Sequence, residues 1–435
     1  MNSSSLALPL ERYRLDNGLR VVLSRDPTTP VVAVYLIYGV GARSEEFGRS
    51  GFAHLFEHMM FQGSRHAPKG LHFQMVEANG GYLNGSTHPD YTDYFEVLPS
   101  NKLPVALWLE ADRMRGLAIN EENLANQKEA VKEERRLRLD NQPYVTAIVD
   151  LWPRLLFRNW RNFHSLIGSF EDLDAATVDD VARFFKTYYA PNNAVLVLAG
   201  DIDLEESKGL IEAYFGDIEP QPTPPRPATA EPAPDGERSA VYQDPRARIP
   251  ALILGFPGPR RRSADYYALS VVDVILTAGP SSRFQQNLVK GRRSVIQYEA
   301  NLGWPFASAS DYLDPGAYSL FLLHHPNFRT REVLEHVTEE LSRIQRDGPS
   351  REELERARTF LRAEQIKQVQ SNIGRAQLLG RHELLDGDAG LLNTELDRFL
   401  EVTGEDIQSA ARRYFDPAIR AVLEIIPGRG EGDSR

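Results

Sequence analysis

Seven prolines crowd one short polar stretch: Pro220, Pro222, Pro224, Pro225, Pro227, Pro232 and Pro234. Neither a helix nor a central strand tolerates that density of fixed φ angles and missing N–H donors, so the stretch reads as an extended, exposed linker. It divides the chain into residues 1–218 and 238–435, joined by a linker over 219–237. With 435 residues in all, the chain is too long for one ordinary core, which agrees with that division.

The two sides repeat each other near their ends. Thr177-Val178-Asp179-Asp180-Val181 leads through a helical pattern to Tyr188-Tyr189-Ala190-Pro191 and the apolar run Ala194 to Leu198. Thr403-Gly404-Glu405-Asp406-Ile407 leads likewise to Tyr414-Phe415-Asp416-Pro417 and Ala421 to Ile426, with the same threonine-to-proline spacing. The pattern indicates an α+β fold of two homologous domains from a duplication, each a mainly antiparallel sheet packed with helices.

Within the first domain, Asp16-Asn17-Gly18 marks a hairpin turn, and Val31 to Tyr38 is a β-branched and aromatic run suited to a buried central strand. Tyr82 to Thr87 and Tyr91 to Leu98 alternate like two strands of a hairpin. Leu103 to Met114, Glu121 to Leu139 and Thr177 to Tyr189 are helical by period. Between the central strand and the hairpin lies Phe52-Ala53-His54-Leu55-Phe56-Glu57-His58-Met59-Met60-Phe61, a helix-forming apolar run interrupted by three polar residues.

His54, Glu57 and His58 stand at i, i+3 and i+4, so one helix face carries all three into whatever the helix packs against. Burying such a cluster without a partner costs several kcal/mol, and a metal ion is the partner that answers the need. His-x-x-Glu-His is a metallopeptidase signature, the reverse of His-Glu-x-x-His. Two imidazoles suit zinc, and the carboxylate between them is placed to take a proton from water. The competing reading is a set of core histidines satisfied by backbone groups.

A third protein ligand has to come from elsewhere. The helix from Glu121 to Leu139 offers Glu121, Glu122, Glu129, Glu133 and Glu134, and Leu124 and Val131 define its inward stripe. At ~100° per residue, Glu134 falls about 60° from Val131, on the flank of that stripe, while Glu133 points nearly opposite to Leu124. Glu134 is the expected ligand. Gln127 lies on the same face and is expected to hold a ligand in place.

Composition excludes several classes. With no cysteine, disulfides, thiolate-bound zinc and thiol nucleophiles are ruled out. A net charge of -11 argues against nucleic acid as a partner. No apolar run is long enough to span a membrane. The first residues lack a secretory pattern, so the expected compartment is the cytoplasm, or the periplasm if a signal was removed.

His54-Leu55-Phe56-Glu57-His58, followed by Val131-Lys132-Glu133-Glu134, resembles the pitrilysin-type M16 family of zinc metallopeptidases, which includes mitochondrial processing peptidase. Asp16-Asn17-Gly18-Leu19, Gly80 to Thr87, Tyr188 to Asn193 and Gly200-Asp201 extend the resemblance nearly end to end. Size, linker and duplication are similar to the bacterial half-length branch, in which two chains of two domains form a clam-shell. The resemblance implies one zinc ion per chain on His54, His58 and Glu134, with Glu57 as the base. It also implies an edge strand, Asn84, Gly85 and Ser86, that pairs with the substrate backbone.

This chain departs from the family pattern at three places. Gln127 stands where a second glutamate is usual, and Gly85 where alanine is usual. Active members also use an arginine and a tyrosine seven residues apart in a C-terminal domain. Here Ser282-Arg283-Phe284-Gln285-Gln286-Asn287-Leu288 matches the run before that pair, yet the expected positions hold Val289 and Ile296. Arg292, Arg293 and Tyr298 lie nearby in the wrong order and spacing. The expectation is a zinc endopeptidase subunit acting on peptides in a closed chamber, with a related second chain supplying the arginine and tyrosine. The alternative is a non-catalytic structural or peptide-binding subunit.

Overall fold

The computed structural model describes residues 7–303 and 311–428. By packing, the chain divides into two units, each assembled from three stretches. One comprises Met1–Glu133, Ser165–Pro227 and Glu364–Glu395; the other comprises Glu134–His164, Ala228–Ala363 and Leu396–Arg435.

The first unit is built on a six-stranded sheet of β1 (Glu11–Arg14), β2 (Arg20–Arg25), β3 (Val31–Tyr38), β4 (Tyr82–Thr87), β5 (Thr92–Pro99) and β6 (Ala194–Gly200). Their order is β1-β2-β6-β3-β5-β4. Only β2 and β6 run parallel; every other pairing is antiparallel. β6 is buried throughout and β3 almost so, which is why both read as unbroken apolar runs with no alternation.

On one side of this sheet lie α1 (Phe52–Met59), α2 (Leu71–Ala78) and α3 (Leu103–Arg115), which pack against β3, β4 and β5. α4 (Glu121–Arg135) follows, its continuous helix crossing the seam between the units at its last two residues. α5 (Val178–Tyr188) packs on α1, with Phe184 and Phe185 against Phe56. The other side is covered from far along the chain. Ala33, Tyr35 and Ile37 of β3 join a cluster with Ala376 and Leu379, so a helix some three hundred and forty residues downstream in the sequence closes the sheet (~340).

The second unit repeats the plan. β7 (Arg238–Asp244), β8 (Ala251–Pro257), β9 (Val295–Gly303), β10 (Ala317–His324) and β11 (Ala421–Pro427) lie in the order β7-β11-β8-β10-β9, with β7 and β11 parallel and the rest antiparallel. α6 (Ala264–Thr277) follows β8. Its apolar residues form one core with Leu252, Leu254 and Phe256 of that strand. The alternate residues Ala251 and Ile253 face Trp152, from the helical stretch Ala147–Leu151 and Trp152–Leu156. Each sheet is therefore covered on one face by chain from the opposite side of the proline linker. α7 (Asn372–Arg381) covers the first sheet, and its Gly380 meets Tyr35 so closely that a Cβ there would lie 2.4 Å from the ring; Gly255 in β8 admits Trp152 in the same way.

The sequence repeat has a physical basis. Thr177 caps α5 by accepting from Asp180 N, and Asp180 returns a bond from Thr177 N; Thr403 and Asp406 do the same at α8 (Gly404–Tyr414). Between Pro220 and Asp235 the linker has no regular secondary structure, as its prolines require. It is nevertheless tethered. Gln221 exchanges two bonds with Asn192, and Glu231 accepts from Arg158 N, Asn159 N and Asn162 Nδ2.

Candidate metal centre

α1 begins at Gly51, and the buried carboxylate of Glu45 caps it by accepting from Gly51 N at 2.9 Å and Ala53 N at 2.7 Å. Phe52, Ala53, Leu55, Phe56 and Met59 are all buried, whereas His54, Glu57 and His58 are half-buried. The sequence pattern put the three polar residues into the packing interface; the structure puts them on the helix's accessible side. The reason is steric and hydrophobic at once. Five apolar side chains already fill the buried positions, leaving the polar face half-exposed.

Ligand atoms of His54, His58 and Glu134 all lie within 4.8 Å of one another. Two imidazoles and a carboxylate are a donor set that zinc takes at ~2.0–2.2 Å, so small side-chain adjustments would bring all three onto one ion. The other α4 carboxylates, Glu121, Glu122, Glu129 and Glu133, are exposed, as expected of a solvated face. Glu134 also pairs with Arg138 at 2.8 Å, an exposed side chain that solvent screens and that can swing away.

Gln127, one of the residues singled out from sequence, reaches the centre. Its Oε1 is 3.2 Å from His58 Nδ1. With an amide oxygen facing it, Nδ1 carries the proton and Nε2 the lone pair, the tautomer a metal needs. The interaction orients the ring without adding charge.

Among the described residues, the edge strand β4 pairs only with β5, Gly85 opposite Tyr94 and Thr87 opposite Thr92, and no strand neighbours its outer edge. Asn84 bonds its own strand, Oδ1 accepting from Gly85 N. Ser86 donates to Asp93 Oδ1 at 2.6 Å and lies 3.0 Å from His88 Nε2, so its side chain is engaged. Gly85 packs under Glu57: a Cβ there would stand 3.3 Å from Glu57 Cγ and 3.1 Å from Tyr94 Cδ1.

A second group, His72, Glu96 and Glu110, is fully buried beside the centre and was not visible in the sequence. It already has its cation. Arg113 forks onto Glu110 with Nε at 2.8 Å and Nη2 closer still, and its guanidinium lies 4.3 Å over the Tyr94 ring and 5.3 Å over that of Phe61. Burial pushes Glu110 up to about 8, with the neighbouring Glu96 adding to the rise and Arg113 opposing it; Glu96 is also raised, chiefly by burial. Burial takes His72 down to about 3, so it is a neutral ring 2.8 Å from Glu96. One proton shared by two carboxyls beside one guanidinium leaves the cluster neutral, which is how it survives without water. It braces Phe61 and Tyr94, the residues that flank α1 and Gly85.

In the second unit, Val289 packs half-buried against the core and Ile296 is exposed on the edge strand β9. Arg292 pairs with Glu339, and Tyr298 donates to Thr277 O at 3.0 Å beside Ser282 Oγ. Neither nearby residue is placed to stand in for the missing pair.

A duplicated α+β chain with an accessible His-x-x-Glu-His helix has the make-up of a metallopeptidase subunit. Residues 20–160 match the family described as Insulinase (Peptidase family M16), and residues 175–361 match the Peptidase M16 inactive domain. The chain is 28% identical over 419 residues to the zinc protease PqqE of Helicobacter pylori, covering 95% of this chain and 92% of that protein. It is 26% identical to a probable mitochondrial-processing peptidase subunit beta of Schizosaccharomyces pombe, over 97% and 93% of the two chains. The crystal structure of a protease from Helicobacter pylori superposes with a TM-score of 0.89 at 26% identity, covering 97% of this chain and 100% of that one. The chain belongs to peptidase family M16.

Proposed function

We propose that this chain is the zinc-holding subunit of an endopeptidase that cleaves peptides and short unfolded polypeptides. The observation that carries the reading is the convergence of His54, His58 and Glu134 beside Glu57, on the accessible face of an otherwise buried helix. His54, His58 and Glu134 would hold one zinc ion, and the ion when bound supplies Lewis acidity toward water and the scissile carbonyl. Glu57 takes the proton from the attacking water and returns it to the leaving amine. Gln127 keeps the His58 ring in register. The outer edge of β4 pairs with an extended peptide through Asn84, Gly85 and Ser86, reading backbone shape more than side chains.

The second unit carries Val289 and Ile296 where active relatives carry arginine and tyrosine, so the proposal includes a related second chain that supplies them and closes the chamber. A non-catalytic, peptide-binding subunit is the rival that those two positions favour. Zinc content and cleavage of a mixed peptide pool decide the matter, measured on the purified chain alone and with the related chain. Bound zinc, weak cleavage alone and strong cleavage together are expected. A complex that binds zinc yet cleaves nothing would support the rival; full activity of the lone chain would remove the partner.

A further inference from the structure

Thr87 ends the edge strand β4 and belongs neither to the histidine motif nor to the peptide-pairing run. Its Oγ1 donates to Glu57 Oε2 at 2.6 Å. Side chains alternate along a strand, so Thr87 and Gly85 face α1 together while Ser86 turns away to Asp93. The stem of Glu57 passes over Gly85, whose missing Cβ leaves it room, and its carboxylate head meets Thr87. A hydroxyl bond to a carboxylate is short, directional and stronger than a neutral one, so it selects one rotamer of a flexible side chain.

We propose that Thr87 is a positioning residue for Glu57. By bonding Oε2 it fixes the orientation of the carboxylate that takes the proton: the water O–H bond breaks, an O–H bond forms on the Glu57 carboxylate, and the same proton passes on to the leaving amine. The strand that pairs with the substrate thereby also sets the base, so substrate and base share one frame of reference. This rests on the peptidase reading above.

The test compares Thr87→Val, which keeps the shape and removes the hydroxyl, with Thr87→Ser, which keeps the hydroxyl. Each is made in the full chain and assayed with the related second chain. Thr87→Val should lower kcat about ten- to a hundredfold, the scale of a misplaced catalytic group, with KM within about twofold and zinc content unchanged. Thr87→Ser should restore kcat to within about threefold of wild type. An equal loss in both variants, a change confined to KM, or loss of zinc would overturn the proposal. A readout independent of turnover is the crystal structure of the variant: Glu57 should spread over several conformers in Thr87→Val and hold one in Thr87→Ser. A single unchanged Glu57 conformer in Thr87→Val overturns the proposal even if no peptide is ever cleaved. An inert wild-type complex whose Glu57 disorders in Thr87→Val removes the peptidase reading and leaves the positioning role standing.

Discussion

The two units share one order of five strands, to which the first adds β1 at an edge, around different contents. In the first, the connection from β3 to the edge strand β4 holds α1, with a polar face of His54, Glu57 and His58 left accessible. In the second, the matching connection from β8 to the edge strand β9 holds α6, whose Tyr266, Tyr267, Leu269, Val271, Val272, Ile275 and Leu276 are all buried. On the proposed reading, chemistry is a graft on one copy of a duplicated frame, and the other copy has spent the same position on its core.

The sharpest way to break this contrast is to remove the grafted base. Glu57→Gln should cut kcat by about a thousandfold with zinc content unchanged, within the range expected for a lost general base. Asp273→Asn in α6 should leave cleavage within about twofold of wild type, although that carboxyl is also buried, pushed up to about 6 by burial, and bonded by Tyr318 and Thr277. Equal losses from the two substitutions would show that the units are not functionally distinct.

The next test asks whether the second unit has merely changed side chains or has repacked. Val289→Arg should destabilise the protein by about 2 kcal/mol in urea titration, because a charge enters a half-buried apolar site. Ile296→Tyr, at a position 46% exposed, should stay within about 0.5 kcal/mol. Equal costs would mean that Val289 is not part of the core.

The buried carboxyl of Glu110 gives a pH signature to the first unit. Its folded value of about 8 lies above the ordinary 4.5, so between those values the folded state holds a proton that the unfolded state has lost. Stability therefore falls as pH rises through that window and levels off above about 8. The unfolded His72, with its ordinary value of 6.5, still holds part of its proton at the lower end of that window and opposes the slope, so the comparison is made from about pH 7.5 to 8, where His72 is largely neutral in both states and Glu110 dominates. Glu110→Gln should flatten that slope, which is at most about 1.4 kcal/mol per pH unit for one proton. An unchanged slope in the thermal midpoint against pH would place the proton elsewhere.

The smallest effect belongs to Gly85→Ala. The new methyl would sit 3.3 Å from Glu57 Cγ and 3.1 Å from Tyr94 Cδ1, contacts that a few tenths of an ångström relieve. A loss of about 0.5 kcal/mol and a kcat within about threefold are expected. A larger kcat loss than that of Thr87→Val would mean that Gly85, more than the hydroxyl, sets the base.

Much of this was legible in the chain because it is local. Helical spacing alone put Glu134, and not Glu133, on the flank of its helix's inward stripe, with Gln127 on the same face; that Gln127 meets His58 came from the structure. The Thr-Asp spacing announced two helix starts because a capping box needs nothing outside four residues. What stayed hidden depends on distant partners. Leu103 to Met114 reads as a helix by period, which says nothing of the burial of Glu110, Asp112 and Arg113: Glu110 and Arg113 pair with each other, Glu96 and His72 lie against them, and Asp112 is bonded by Ser64 and His66. The accessible side of α1 was misassigned for a similar reason: period gives the face, while only the fold says which face is covered. Thr87 looked like an ordinary strand residue.

The covering of each sheet by chain from across the linker carries a consequence for how the protein is made. A ribosome completes the strands of the first sheet by Gly200, but the helix that closes over Tyr35 begins only at Asn372. Until then Ala33, Tyr35 and Ile37 stand open to water or to a chaperone. A protease cut in the proline segment would leave two fragments, each short of part of its own core and each holding the piece the other lacks. Mixed together, such fragments should recover zinc binding only as a pair.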